Sequence, residues 1–276
     1  MKKLLVVAAH PDDESFPTGG TIAKYAQAGW MVDLVTATCG EAGSTGPYGT
    51  LAPEKLGKVR QRELEDAAKI LGISSVTFLD YIDGTLKSLP AGDPEDKIFR
   101  ELVRRIPNVV ITYEPGGISN HPDHIRLTNA TTFSFQKYAS LIDDLYSDTL
   151  TKSKTVFPEL LARVEVGDRL EPKLYFVCIP ESIGAHLQSI KAFPPISFGK
   201  PWSTIPDKKI TTVVEVTKFA AKKRRALLAH ETQKSDVERF LRIPNNPFLS
   251  QEHYVLRMQG THEVFMGKTD AVSNRL

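Results

Sequence analysis

The chain has 276 residues, 41% of them hydrophobic and 25% charged, with a net charge of +2. That is the composition of an ordinary soluble protein, long enough to bury a sizeable core. The near-neutral balance gives no reason to expect a nucleic acid or an anionic membrane as partner, and no stretch is long enough to span a bilayer.

The first apolar run, Lys3 to Ala8, reads as a strand buried on both faces, entered directly from Met1. It is too short for a signal peptide and ends in His10-Pro11-Asp12-Asp13-Glu14. The two cysteines, Cys39 and Cys178, are far apart and lie in or beside strand-like runs, so they read as reduced core thiols of a cytoplasmic protein. A helix is expected over about 20–28, closed by Gly29, and a second strand over Met31–Ala37. The loop Thr38–Gly46 is glycine-rich but lacks G-x-G-x-x-G and opens no helix at once, which argues against a nucleotide site.

Pro53 to Leu71 is a long helix with an apolar stripe through Leu56, Leu64 and Leu71, stopped by Gly72. Val76–Leu79 is a third strand, followed by Asp80-Tyr81-Ile82-Asp83-Gly84, and a helix opens at Asp93 or Pro94. Val109–Tyr113 is a fourth strand, followed by a loop, then His121-Pro122-Asp123-His124, and a helix to about 136. This alternation predicts an α/β chain: a Rossmann-like three-layer α/β/α sandwich with a mostly parallel sheet and right-handed crossovers. Both His/Asp motifs follow strands, so they share the carboxyl edge of the sheet, where ligands of such folds bind.

The second half is less regular. Residues 137–172, with Leu141, Ile142, Leu145, Val156, Phe157, Leu160 and Leu161, are expected to form helices and a flap over the site. A strand is expected over 173–179, a Pro- and aromatic-rich loop over 192–208, a strand over 211–216 and a helix over 217–230. The run Lys222-Lys223-Arg224-Arg225 reads as a solvated helix face. The whole chain reads as one domain, with both motifs in residues 1–136 and a lid region plus closing strands and helix in 137–276; self-association is left open.

Taken singly, the motif residues have ordinary explanations, such as an N-cap for Asp12 or Asp13 and a core imidazole for His10. Together, six ionisable groups at one sheet edge point to a divalent cation, because clustered carboxylates repel unless something offsets them. Two His and one Asp suit zinc or ferrous iron and leave a coordination position open for water.

Ala9-His10-Pro11-Asp12-Asp13-Glu14 and His121-Pro122-Asp123-His124, in this order and each after a strand, resemble the PIG-L/LmbE-like superfamily of zinc-dependent de-N-acetylases. The resemblance implies hydrolysis of the acetamide of an N-acetylglucosamine-type small molecule. It assigns the metal, Zn2+ with Fe2+ as alternative, to His10, Asp13 and His124. It makes Asp12 the general base and His121 the group that stabilises the oxyanion and protonates the leaving amine. Asp123 would orient His121 through its second ring nitrogen.

Arg60 in Arg60-Gln61-Arg62-Glu63-Leu64, Asp83 in an Asp-Gly pair, and Glu41 in Thr38–Gly43 match the superfamily's sugar contacts. Ser119 stands where some members carry a carbonyl-polarising tyrosine. Glu14 reads as stabilising the next helix's N-terminus, His230 as a group that folds back over the site, and His186, His253 and His262 as ordinary histidines. The alternatives are an amidase acting on a sugar–thiol conjugate and a non-catalytic α/β module that keeps a metal for structure. No G-x-S-x-G or H-E-x-x-H motif offers another hydrolase mechanism.

Overall fold

The strands are carried by the apolar runs expected to carry them. A computed structural model describes residues 1–147, 158–165, 169–265 and 271–276. β1 (Lys3–Ala8), β2 (Met31–Thr38), β3 (Ser75–Tyr81), β4 (Val109–Tyr113) and β5 (Lys173–Cys178) are parallel, in the order β5-β4-β1-β2-β3. Their buried Val, Ile and Leu residues leave no polar face, as a sheet covered on both sides requires. β9 (Gln251–Gln259) continues the sheet antiparallel to β5, and β8 (Thr212–Glu215) and β10 (His262–Glu263) pair antiparallel with β9. β6 (Ile196–Ser197) and β7 (Lys200–Pro201) form a separate two-residue hairpin. One sheet thus runs through both halves of the chain.

Helices α1 (Gly19–Gln27), α2 (Pro53–Leu71) and α8 (Ala220–Ala229) pack together on one face of the sheet. α3 (Asp93–Arg105), α5 (Pro122–Tyr146) and α6 (Pro158–Glu165) pack together on the other. α4 (Gly117–Asn120) is a single turn before α5, broken by Ile118 at φ +62°. α7 (Glu181–Ser189) and α9 (Lys234–Leu241) bury a second apolar cluster that includes Leu187, Val237 and Phe240. Among the described residues no helix is long and apolar enough to cross a membrane.

Three expectations are corrected. Residues 137–146 are not a flap: they continue α5, with Tyr138, Ala139 and Ile142 buried against the sheet. The apolar stripe simply runs on, and Leu160 of α6 is buried on the same side. Val156 and Phe157 lie outside the described residues. The basic run is not uniformly solvated either. Lys223 is fully buried, its Nζ donating to Phe248 O (2.8 Å) and Glu252 Oε1 (2.7 Å). The strand over 251–259 was not anticipated, because Glu252, His253 and Arg257 interrupt its apolar residues. In the fold Glu252 accepts from Lys223 and from the N–H groups of Gly20 (2.9 Å) and Thr21 (2.7 Å), tying β9 to the start of α1.

A buried ion pair that also holds backbone donors is severely destabilised when one member is removed. Lys223→Met should lower unfolding free energy by about 3–5 kcal/mol. Urea denaturation should show the Lys223→Met/Glu252→Gln double variant losing less than the sum of the singles.

Candidate active site

β1 and β4 are neighbours, and the strand order reverses between them, so the loops that follow them face each other at the switch point of the sheet. Gly117, at φ +66°, turns the chain from β4 into α5. A Cβ there would lie 2.7 Å from His124 Cβ, so the close approach requires glycine. Three ligand atoms meet at this point. His10 Nδ1 is 3.2 Å from His124 Nε2 and 3.5 Å from Asp13 Oδ2, and His124 Nε2 is 3.4 Å from Asp13 Oδ2. A tetrahedral ion with ligand bonds of about 2.0–2.1 Å has ligand–ligand edges of about 3.3–3.4 Å.

The tautomers fit as well. His124 Nδ1 lies 3.1 Å from Gly117 O, which fixes the proton there and turns the Nε2 lone pair inward. His10 Nε2 lies 2.9 Å from Asp83 Oδ1 and 3.5 Å from Asp123 Oδ2 without hydrogen-bond geometry, and its Nδ1 is the nitrogen turned toward Asp13 and His124. Looser groupings share these residues: ligand atoms of His10, His121 and His124 lie within 4.8 Å of one another, as do those of His10, Asp83 and Asp123. The His10–Asp13–His124 triangle is the tighter set.

Asp13 is the centre of the hydrogen bonding. Its Oδ2 accepts from His10 N (2.8 Å) and Tyr113 OH (2.7 Å), and Tyr113 OH accepts from Ala9 N (2.7 Å). Tyr113 also stacks on His124, with ring centroids 4.3 Å apart. Burial disfavours the charged carboxylate of Asp13, but His124, His10 and Tyr113 outweigh it and hold its pKa well below the usual range. Burial lowers the His124 pKa to about 4, with Asp13 opposing. For His10 burial is outweighed by Asp123, Asp13 and Asp83, which raise its pKa well above the usual value. The pocket is short of positive charge.

Asp12 sits beside this triangle at φ +112°, an uncommon backbone conformation for a non-glycine residue. Its N–H donates to Glu14 Oε2 (3.0 Å), and its Oδ2 accepts from Arg60 Nη2 (3.2 Å). Burial pushes its pKa up to about 7; Arg60 opposes the shift and Asp13 adds to it.

Arg60 is 3% exposed, its Nη1 donating to Gly40 O (2.8 Å) and Nη2 to Pro11 O (2.5 Å). A Cβ on Gly40 or Gly43 would meet the guanidinium at 2.4 or 2.1 Å, which explains the glycines of that loop. Arg60 thus braces Asp12 through Nη2, while its buried Nε has no partner among the described residues. Asp83 faces His10 and accepts from Ala42 N (3.2 Å). Glu41 accepts from Asp83 N (3.2 Å) through Oε1, while its buried Oε2 has no partner among the described residues.

The link between Asp123 and His121 differs from expectation. His121 is the N-cap of α5, and its Nδ1 accepts from the backbone N–H of Asp123 (3.2 Å). The Asp123 carboxylate accepts instead from Gly84 N (2.7 Å) and Leu86 N (3.1 Å), because a helix-start residue points back toward the β3 loop. His121 therefore carries its ring proton on Nε2 when neutral, and burial, with His10 beside it, lowers its pKa. Its ring lies 4.6 Å from Phe198, so the cover over this part of the site comes from the 196–201 hairpin.

The sequence profile of the family described as PIG-L, GlcNAc-PI de-N-acetylase, matches residues 5–134. A protein of Kineococcus radiotolerans named 1D-myo-inositol 2-acetamido-2-deoxy-alpha-D-glucopyranoside deacetylase is 35% identical over 98% of this chain and 80% of its own. The chain belongs to the PIG-L family. A Mycobacteroides abscessus protein of the same name is 32% identical over 92% of this chain and 91% of its own. The solved N,N'-diacetylchitobiose deacetylase of Pyrococcus horikoshii superposes with a TM-score of 0.60 over 94% of this chain and 84% of that one. At 21% identity it speaks for the fold.

Two features of this PIG-L chain were missed from sequence. Tyr113 was read only as the end of a strand; a tyrosine that closes a buried strand just before a His/Asp motif was the available signal. Glu14 does not serve the next helix. It is fully buried and binds His230 Nε2 through Oε1 (2.8 Å) and Asp12 N through Oε2, so His230 lies behind the site rather than over it. Burial, with Glu41 adding, pushes the Cys39 thiol pKa up to about 11, in keeping with a thiol that stays protonated.

Glu14→Ala strands the buried His230 and the N–H of Asp12. It should cost about 3–5 kcal/mol of unfolding free energy by chemical denaturation. A loss below about 1 kcal/mol would show that the pair does not hold Asp12 in place.

Proposed function

We propose that this PIG-L protein is a divalent-metal-dependent hydrolase that removes the acetyl group from an N-acetylglucosamine-type conjugate. The observation that carries the reading is the His10–Asp13–His124 triangle, with ligand atoms 3.2–3.5 Å apart and Asp12 beside it. Relatives named as deacetylases of an acetamido-glucopyranoside support the substrate class. Three protein ligands leave a coordination position open, which suits catalysis better than a structural ion.

His10, Asp13 and His124 would hold zinc or ferrous iron, which would supply the Lewis acidity that lowers the pKa of water and polarises an acetamide carbonyl. Asp12, fixed by Glu14 and Arg60, accepts the proton of the attacking water. The Nε2–H of His121 has no other acceptor among the described residues and donates to the carbonyl oxygen as negative charge develops there. Ser119 is too short to replace a tyrosine in that task, so His121 carries it. Tyr113 and Asp83 orient Asp13 and His10, and Glu41, half-buried beside Asp83, remains the carboxylate proposed for a sugar hydroxyl.

The test is acetate release from a panel of N-acetylglucosaminyl conjugates by the metal-loaded protein. Release that a chelator abolishes and zinc or iron restores is expected; no release from any member would refute the reading. His124→Ala should lose its metal by elemental analysis. Asp12→Asn should keep the metal and lose about 10²–10⁴-fold in kcat; loss of metal in that variant would make Asp12 a ligand instead. Tyr113→Phe should weaken metal affinity by about 10–100-fold in a competition titration. Asp83→Ala should impair hydrolysis of sugar-bearing and sugar-free acetamides alike, since it acts on His10; a loss confined to the sugar substrate would restore the sugar-binding role.

A further inference from the structure

A cavity of about 380 Å³ opens from the triangle, with Asp13, Tyr113 and His124 in its wall. It extends away from Asp12, Arg60, Glu41 and Asp83, none of which lines it. Two aromatic groups form much of the rest of its wall, beside Ser119, Ser197 and His253. Phe16, Phe240 and Phe248 form one, with ring centroids 5.2 and 5.7 Å apart; Phe193 stacked on Trp202 at 5.0 Å forms the other. Trp202 Nε1 already donates to Pro194 O (2.9 Å). The charged wall residues away from the triangle are occupied as well: Glu252 holds Lys223, Gly20 N and Thr21 N, and Asp236 pairs with Arg239 at 3.1 Å. The polar atoms left over in the wall are the Ser119 and Ser197 hydroxyls and the unpartnered Nδ1 of His253; apolar side chains make up most of the rest.

An apolar cleft gains free energy when a ligand shields its walls from water. An apolar cavity of about 150 Å³ already holds a benzene molecule. An acetyl methyl leaves most of this one empty. An amide at the triangle has two ends. The polar groups Asp12, Arg60, Glu41 and Asp83 stand outside the cavity wall, so the sugar belongs on their side and the acyl group faces the aromatic walls.

We propose that this cavity is an acyl subsite, and that the protein hydrolyses N-acyl aminosugars whose acyl group is larger and more apolar than acetyl. The inference rests on the amide hydrolysis proposed above. Water adds to the carbonyl carbon, the C–N bond breaks, the chain leaves as a carboxylic acid and the sugar as a free amine.

Two arms test it. In the first, kcat/KM is measured for one glucosamine conjugate carrying N-acetyl, N-butyryl, N-hexanoyl or N-octanoyl groups, beside N-acetylglucosamine bearing alkyl aglycones of the same lengths. The N-acyl series should rise about threefold per methylene until the cavity is full. Ile196→Phe, at the exposed rim of the cavity, should lower the octanoyl-to-acetyl ratio about tenfold. A fall from acetyl onward, or a gain confined to the aglycone series, overturns the proposal.

The second arm is independent of turnover. Trp30→Phe leaves Trp202 as the remaining tryptophan. Its fluorescence in metal-free protein should report N-octanoylglucosamine binding at least tenfold tighter than N-acetylglucosamine. Equal binding overturns the subsite. Tighter octanoyl binding with no hydrolysis of any acyl sugar upholds the subsite and refutes the hydrolase reading.

Discussion

The site turns on the Asp13 carboxylate. One oxygen accepts from a backbone N–H of its own loop and from the Tyr113 hydroxyl, and stands within 3.5 Å of two imidazole nitrogens. Tyr113 ends β4 and His10 follows β1, so this one oxygen locks together the two strands between which the order of the sheet reverses. A carboxylate so surrounded stays ionised however deeply it is buried. Without the hydroxyl and the N–H it would swing, and the 3.2–3.5 Å triangle would open.

Around that point the protein assembles charge in layers. Asp83 and Asp123 stand against the outer nitrogen of His10, and each is held by backbone N–H groups of the loops after β2 or β3. On the other side Arg60 and the Glu14–His230 pair hold Asp12 in an unusual backbone conformation. These are tertiary contacts: α2 brings Arg60, and the end of α8 brings His230 from 216 residues away. The glycines of the loop after β2 serve the same end, since side chains there would collide with the guanidinium.

The aromatic wall is a separate contribution. Its residues come from the loop after β1 and from the segments around α7, α9 and the start of β9. The polar half and the apolar half of the site are thus built from different parts of the chain, and they meet at the Asp13–His124 edge. Relatives can keep the first while changing what the second admits.

The five parallel strands, the helices between them and the pairing of the two His/Asp motifs at one sheet edge were legible in the sequence. Uninterrupted apolar runs, capping residues and right-handed crossovers are local or nearly local rules. The candidate metal ligands were legible for the same reason: each lies just past the end of a strand. Whom each remaining polar residue would meet was not legible. Lys223 in a basic run, Glu252 in a charged strand and Glu14 in an acidic motif look solvated in sequence, yet each is buried against a partner that only the fold supplies. The pattern around Arg60 and Asp123 did not tell that the first would brace Asp12 and the second accept from the loop after β3; packing brings those partners together. The sequence by itself determined the parallel part of the sheet and the edge at which chemistry occurs, because strand burial and crossover hand are encoded locally. Only the tertiary structure decided which charges pair, since a hydrogen bond across 29 to 216 residues depends on how helices pack and leaves no period in the chain.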